Sequence, residues 1–151
     1  MVELDRVGAH ERLERELSVL LRRARSLSMT LATEVHEGLD AAGYGALVAV
    51  DHAGEVRASD LAGRFGLDKS TVSRQLGTLE ALHLIERVLD PGDARARLVR
   101  LTQEGRARLG QVREARRRRL RESLGDWSTD DVAALGSLLA AFNDSIKSRL
   151  P

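Results

Sequence analysis

Residues 61–76 read Leu61-Ala62-Gly63-Arg64-Phe65-Gly66-Leu67-Asp68-Lys69-Ser70-Thr71-Val72-Ser73-Arg74-Gln75-Leu76, and the fold turns on them. Apolar side chains at Leu61, Phe65, Leu67, Val72, Leu76 and Leu79 repeat at helical spacing with one interruption. The spacing predicts a short helix over 58–65, a tight turn at Gly66 and Leu67, and a second helix over 68–82. Each boundary has a physical signal: Gly66 supplies backbone freedom for the turn, and Asp68 or Ser70 can accept the free amides that open the second helix.

Outward from this motif, residues 85–90 and 97–102 alternate apolar and polar side chains around Asp90-Pro91-Gly92-Asp93, which predicts a β-hairpin with a charged tip and Arg95 near it. Thr102 then caps a helix carrying Leu109, Val112, Leu120 and Leu124 that stops near Gly125. Ser128 and Asp131 resemble a capping box with Asp in place of Glu. They open a last helix with Val132, Leu135, Leu139, Phe142 and Ile146 on one stripe, joined by Leu138 and Leu150. On the other side, Leu13, Leu17, Leu20, Ala24, Leu27, Leu31 and Val35 trace a stripe on a helix over roughly 8–37, ended by Gly38. A short helix over 41–50 follows, before a break at 51–54. Both terminal stripes need a partner. A small core favours an interface between two chains, the other reading being a bundle within one chain.

The chain has 151 residues, the size of one domain or of a small domain with a helical appendage. It contains no Cys, which excludes disulfides, thiolate catalysis, Cys-ligated zinc and thiol redox sensing. Hydrophobic residues make up 42% but aromatic ones only 3%, so Ala, Leu and Val must fill the core. No stretch approaches the roughly 20 apolar residues of a membrane span, and residues 1–16 are charged throughout, so a soluble, cytoplasmic protein without membrane partners is expected. A net charge of +1 hides an asymmetry: residues 56–121 hold 16 Arg or Lys against 8 Asp or Glu, a net +8, while the flanks hold 8 against 15, a net −7. A basic block between acidic flanks suits a polyanion-binding face. The run Arg116–Arg119 with Arg121 also fits the solvated face of a long helix.

A helix-turn-helix followed at once by a basic hairpin is the winged-helix arrangement, here mainly α with a small β-hairpin wing. Residues 61–76, then Leu79-Glu80-Ala81-Leu82-His83-Leu84-Ile85-Glu86-Arg87, Asp90-Pro91-Gly92-Asp93-Ala94-Arg95, Leu98-Val99-Arg100-Leu101-Thr102 and Glu104-Gly105 together resemble the MarR family of transcriptional regulators. The resemblance covers about 40–149. Arg57 departs from it, standing where many members place a helix-capping Thr.

The resemblance implies a winged helix-turn-helix DNA-binding domain over 39–102 and a helical dimerisation region from 1–38 and 103–151. On the second motif helix, Lys69, Ser70, Thr71, Ser73, Arg74, Gln75 and Thr78 offer hydroxyls and long donors to a DNA groove. Arg74 suits a guanine edge, Gln75 an adenine, and Ser70, Thr71 and Ser73 phosphates. The family likeness places the wing Arg95 in the minor groove, oriented by Asp93, with Arg97 on the backbone. It also implies a homodimer packed through Leu13, Leu17, Leu20, Val132, Leu135, Leu139, Phe142 and Ile146. Such a dimer reads a palindromic operator, usually as a repressor. In that family small aromatic or phenolic anions release the DNA; by position Met29, His36, Tyr44, Val48 and His52 are the candidate effector-binding residues.

Enzymatic signals are missing. The four histidines, His10, His36, His52 and His83, form no metal-ligand spacing. There is no Gly-rich phosphate loop or nucleophile elbow, and Asp130 and Asp131 fit a helix start. Neither catalytic residues nor a cofactor or metal is expected. The alternative class is a winged-helix module for protein assembly without DNA specificity, which has no need of Lys69, Arg74 and Arg95 all exposed.

Overall fold

The structure, a computed structural model, describes residues 6–65 and 68–147, apart from the side chains of Arg64, Phe65, Ala94 and Lys147. The expectations placed on the Phe65 side chain, on Gly66 and Leu67, and on Leu150 lie outside the described residues. In chain order the elements are α1 (Arg6–Val35), α2 (Ala41–Ala53), β1 (Glu55–Arg57), α3 (Ala58–Phe65), α4 (Lys69–Ala81), β2 (Ile85–Asp90), β3 (Asp93–Leu101), α5 (Gln103–Ser123) and α6 (Thr129–Lys147). The chain divides into two compact units, one reaching Val112 and one starting at Arg113.

In the first unit the core is built from aliphatic side chains, as the composition requires. Leu31 and Val35 of α1, Leu47 and Val50 of α2, and Leu61 of α3 are buried with Leu76 and Leu79 of α4, Val99 and Leu101 of β3, and Leu109 and Val112 of α5. Among the described residues no polar or charged side chain is buried. Helix α2 is longer than its sequence pattern: it runs through His52 to Ala53 because Gly54, at φ 75°, turns the chain and donates its amide to the Val50 and Asp51 carbonyls. Asp40 caps its other end, accepting the Gly43 amide at 2.7 Å.

The sheet has three antiparallel strands in the order β1-β3-β2. Strand β1 was not anticipated. It lays Val56 opposite Val99 and Arg57 opposite Leu98. Strand β3 also starts earlier than the alternation indicates, at Asp93, so that Arg95 lies within it.

One junction fastens the end of α4, the sheet and the start of α5. His83 takes a left-handed conformation at φ 57°, and the Leu84 amide donates to the Leu79 carbonyl at 2.9 Å, closing α4. The Thr102 hydroxyl donates to the His83 carbonyl at 2.7 Å and accepts the Gly105 amide at 2.9 Å, the expected cap of α5. Arg108 reaches from α5 to the Val35 carbonyl at the end of α1, 3.2 Å away, and pairs with Glu104 at 2.6 Å.

In the second unit Ser128 caps α6 as expected, but the box is not reciprocal, because the Asp131 carboxylate meets the Ser128 hydroxyl and not its amide. The Asp131 amide donates to the Ser128 hydroxyl at 3.1 Å, and that hydroxyl donates to the Asp131 carboxylate at 2.6 Å. Val132, Leu135, Leu138, Leu139 and Ile146 of α6 are exposed, and Phe142 is half-buried.

Candidate nucleic-acid interface

Helix α4 buries Val72, Leu76 and Leu79 against the core, and this fixes which side chains face outward. Lys69, Ser70, Ser73, Arg74 and Thr78 are exposed, while Thr71 and Gln75 are half-buried. Asp68 is the cap. Its carboxylate accepts the Thr71 amide at 2.8 Å, the Thr71 hydroxyl at 2.6 Å and the Ser70 hydroxyl. Those bonds, the one from Ser70 foremost, hold the Asp68 carboxyl well below the usual carboxylate range. Ser70 and Thr71, read from the sequence as phosphate contacts, thus have their hydroxyl hydrogens engaged at the cap. Thr78 donates to the Arg74 carbonyl at 3.2 Å.

The wing is irregular where it matters. Leu89 pairs with Arg97 and Asp90 with Asp93, so residues 94–96 have no opposite partner and form a bulge in β3. Arg95 lies in that bulge, exposed, with exposed Arg97 at its base. Asp93 accepts the Arg95 amide at 3.1 Å. Asp93 thus meets Arg95 at its main chain, and no ion pair joins the two side chains.

Around the sheet, α4 and the wing the cations fall into two sets. Arg57, Arg87 and Arg100 are paired with Asp90, Glu80 and Glu86 respectively. Among the described residues Lys69, Arg74, Arg95 and Arg97 have no carboxylate partner. These four belong to the outer face of α4 and the wing.

The five side chains read as effector-binding do not share one environment. Tyr44 is buried, Val48 is half-buried against the core, and Met29 and His52 are exposed. Half-buried His36 accepts the Gly38 amide on Nδ1 at 3.0 Å. The sequence reading missed an open cleft of about 320 Å³ lined by Gly38, Asp40, Ala42, Gly43, Arg74, Gln75 and Thr78. It also missed the contacts of Arg57, whose only signal was its departure from the family pattern. Among the described residues no group of three His, Asp or Glu could hold a metal ion, and no helix is long and apolar enough to cross a membrane.

Helix, helix and wing with an unpaired basic face define the winged helix-turn-helix class of DNA-binding regulators. The profile of the MarR family matches residues 37–96. An uncharacterised HTH-type transcriptional regulator of Bacillus subtilis, YxaD, is 37% identical over 134 residues, covering 88% of this chain and 92% of that protein. Among solved structures, Streptococcus pneumoniae FabT in complex with DNA superposes with a TM-score of 0.81 at 18% identity, covering 93% of this chain and 99% of that one. A cysteine-to-serine mutant of MarR from E. coli, complexed with operator DNA, gives 0.65 at 24% identity over 97% and 99%. At these identities the two structures establish the fold alone. The chain belongs to the MarR family of DNA-binding transcriptional regulators, which are not enzymes.

Proposed function

We propose that this chain is a homodimer that reads a palindromic operator, with α4 in the major groove and Arg95 in the minor groove, and represses the gene behind it. The observation that carries the reading is the placement of cations around the motif and wing: Lys69, Arg74, Arg95 and Arg97 on the outer face of α4 and the wing have no carboxylate partner among the described residues, while Arg57, Arg87 and Arg100 on the sheet are each held by one. Arg74 is the side chain for a guanine edge and Gln75 for an adenine; Ser73 and Lys69 meet phosphates.

Dimerisation is supported by the exposed leucines of the terminal helices. Leu13 and Leu20 of α1 and Val132, Leu135 and Leu139 of α6 each leave more than a third of their surface open in the single chain. Half-buried Leu17 and Phe142 and exposed Ile146 continue the two stripes. Release by a small phenolic anion remains the family reading, and the cleft beside Arg74 and Gln75 puts a concave surface next to the reading face.

The test is selection of random-sequence duplexes on the wild-type protein, followed by titration of the enriched duplex. Arg74→Ala should weaken binding by about 1–3 kcal/mol and relax preference at one base pair per half-site. Equal binding of enriched and scrambled duplexes by the wild type would refute sequence-specific reading.

A further inference from the structure

We propose that Arg57 is a wing-positioning residue, which bridges Asp90 and Asp93 and so sets where the β3 bulge presents Arg95 to DNA. The proposal rests on the DNA-reading function above and adds to it a residue outside the reading face.

Arg57 is the last residue of β1 and directly precedes α3, so its backbone belongs to the entrance of the helix-turn-helix. Its side chain crosses to the wing. Nε and Nη2 both donate to Asp90 Oδ2, at 2.8 and 2.5 Å, and Nη2 lies 3.8 Å from Asp93 Oδ2. Only 12% of the Asp90 side-chain surface is open, and its other oxygen accepts the Gly92 amide at 2.8 Å. The second oxygen of Asp93 accepts the Arg95 amide. A continuous path therefore runs from the start of α3 through Arg57 and Asp93 to the main chain of Arg95.

Charge explains why a cation is needed there. Asp90 and Asp93 are the directly opposed pair that closes the hairpin, and like charges in that relation repel. Arg57 lies against both carboxylates and offsets the repulsion at the foot of the bulge. A threonine at this position is too short to reach across. Two of the guanidinium nitrogens are committed to Asp90, which sets Arg57 apart from the unpaired cations of the reading face and argues for action through Arg95 rather than on a phosphate.

The experiment compares wild type, Arg57→Thr, Arg95→Ala and the double variant on a duplex enriched by the wild type from random-sequence DNA. Amide hydrogen exchange at Gly92, Arg95 and Leu84 is followed in the free proteins. Arg57→Thr should weaken binding roughly tenfold, and the double variant should bind within about twofold of Arg95→Ala alone, the coupling expected of residues acting as one unit. Exchange at Gly92 and Arg95 should quicken while Leu84, in the core, stays protected. Additive losses, or unchanged exchange at Gly92 and Arg95, would overturn the proposal. Should Arg57→Thr not fold, Asp90→Asn removes the charge partner and should show the same coupling with Arg95→Ala. A wild type that enriches no duplex overturns the DNA-reading function itself, while the exchange comparison still decides whether Arg57 holds the bulge.

Discussion

Gly105 leaves no room for a methyl group: a Cβ there would lie 2.0 Å from the Leu84 carbonyl oxygen. Because the obstacle is main chain, Gly105→Ala should destabilise the first unit by about 2–3 kcal/mol, read as a lower denaturant midpoint. His83 gives the opposite expectation. It holds φ 57° without the freedom of glycine, so His83→Gly should raise stability by about 0.5–1 kcal/mol in the same measurement. Asp68 makes the start of α4 sensitive to acid. Its carboxyl sits below the usual range in the folded chain, so its stabilising effect is complete above the ordinary carboxylate pKa and is lost as pH falls below about 4. Protection of the Thr71 amide, taken relative to its intrinsic exchange rate at each pH, should fall over that acid range in the wild type, and Asp68→Asn should abolish that fall. The caps at Asp68, Thr102 and Ser128 were legible in the sequence, because a capping side chain sits beside the amides it serves. The partners of Arg57 were not, since Asp90 is 33 residues away and only the folded sheet brings it near.

Elements with several inward residues were read within a few positions: α3, α4, β2 and the two terminal helices all show their period. Strand β1 has three residues and one inward side chain, Val56, which is too little for any period to register. The bulge at 94–96 was illegible for a related reason, because alternation shows only where a strand is regularly paired. The contact of α5 with the end of α1 also depends on tertiary structure. Removing it with Arg108→Ala should cost about 0.5–1 kcal/mol after solvent screening of the exposed ion pair, read as a drop in thermal midpoint.

At the scale of the molecule, the charge asymmetry and the two apolar stripes are what the sequence offers for the proposed reading face and association surface. Their roles differ in what disturbs them. Leu135→Glu together with Leu139→Glu should leave the monomer fold intact, since both side chains are exposed, yet shift the protein to monomers in sedimentation equilibrium and weaken DNA binding. The most direct measurement of DNA reading is protection of guanine N7 from methylation on the enriched duplex, with the wild type and Arg74→Ala each at saturation. If α4 reads the major groove of a two-fold site, the wild type should protect guanines in two clusters about one helical turn, roughly 34 Å, apart, and Arg74→Ala should expose one guanine in each. Protection that is unchanged in Arg74→Ala, or confined to a single cluster, would contradict it.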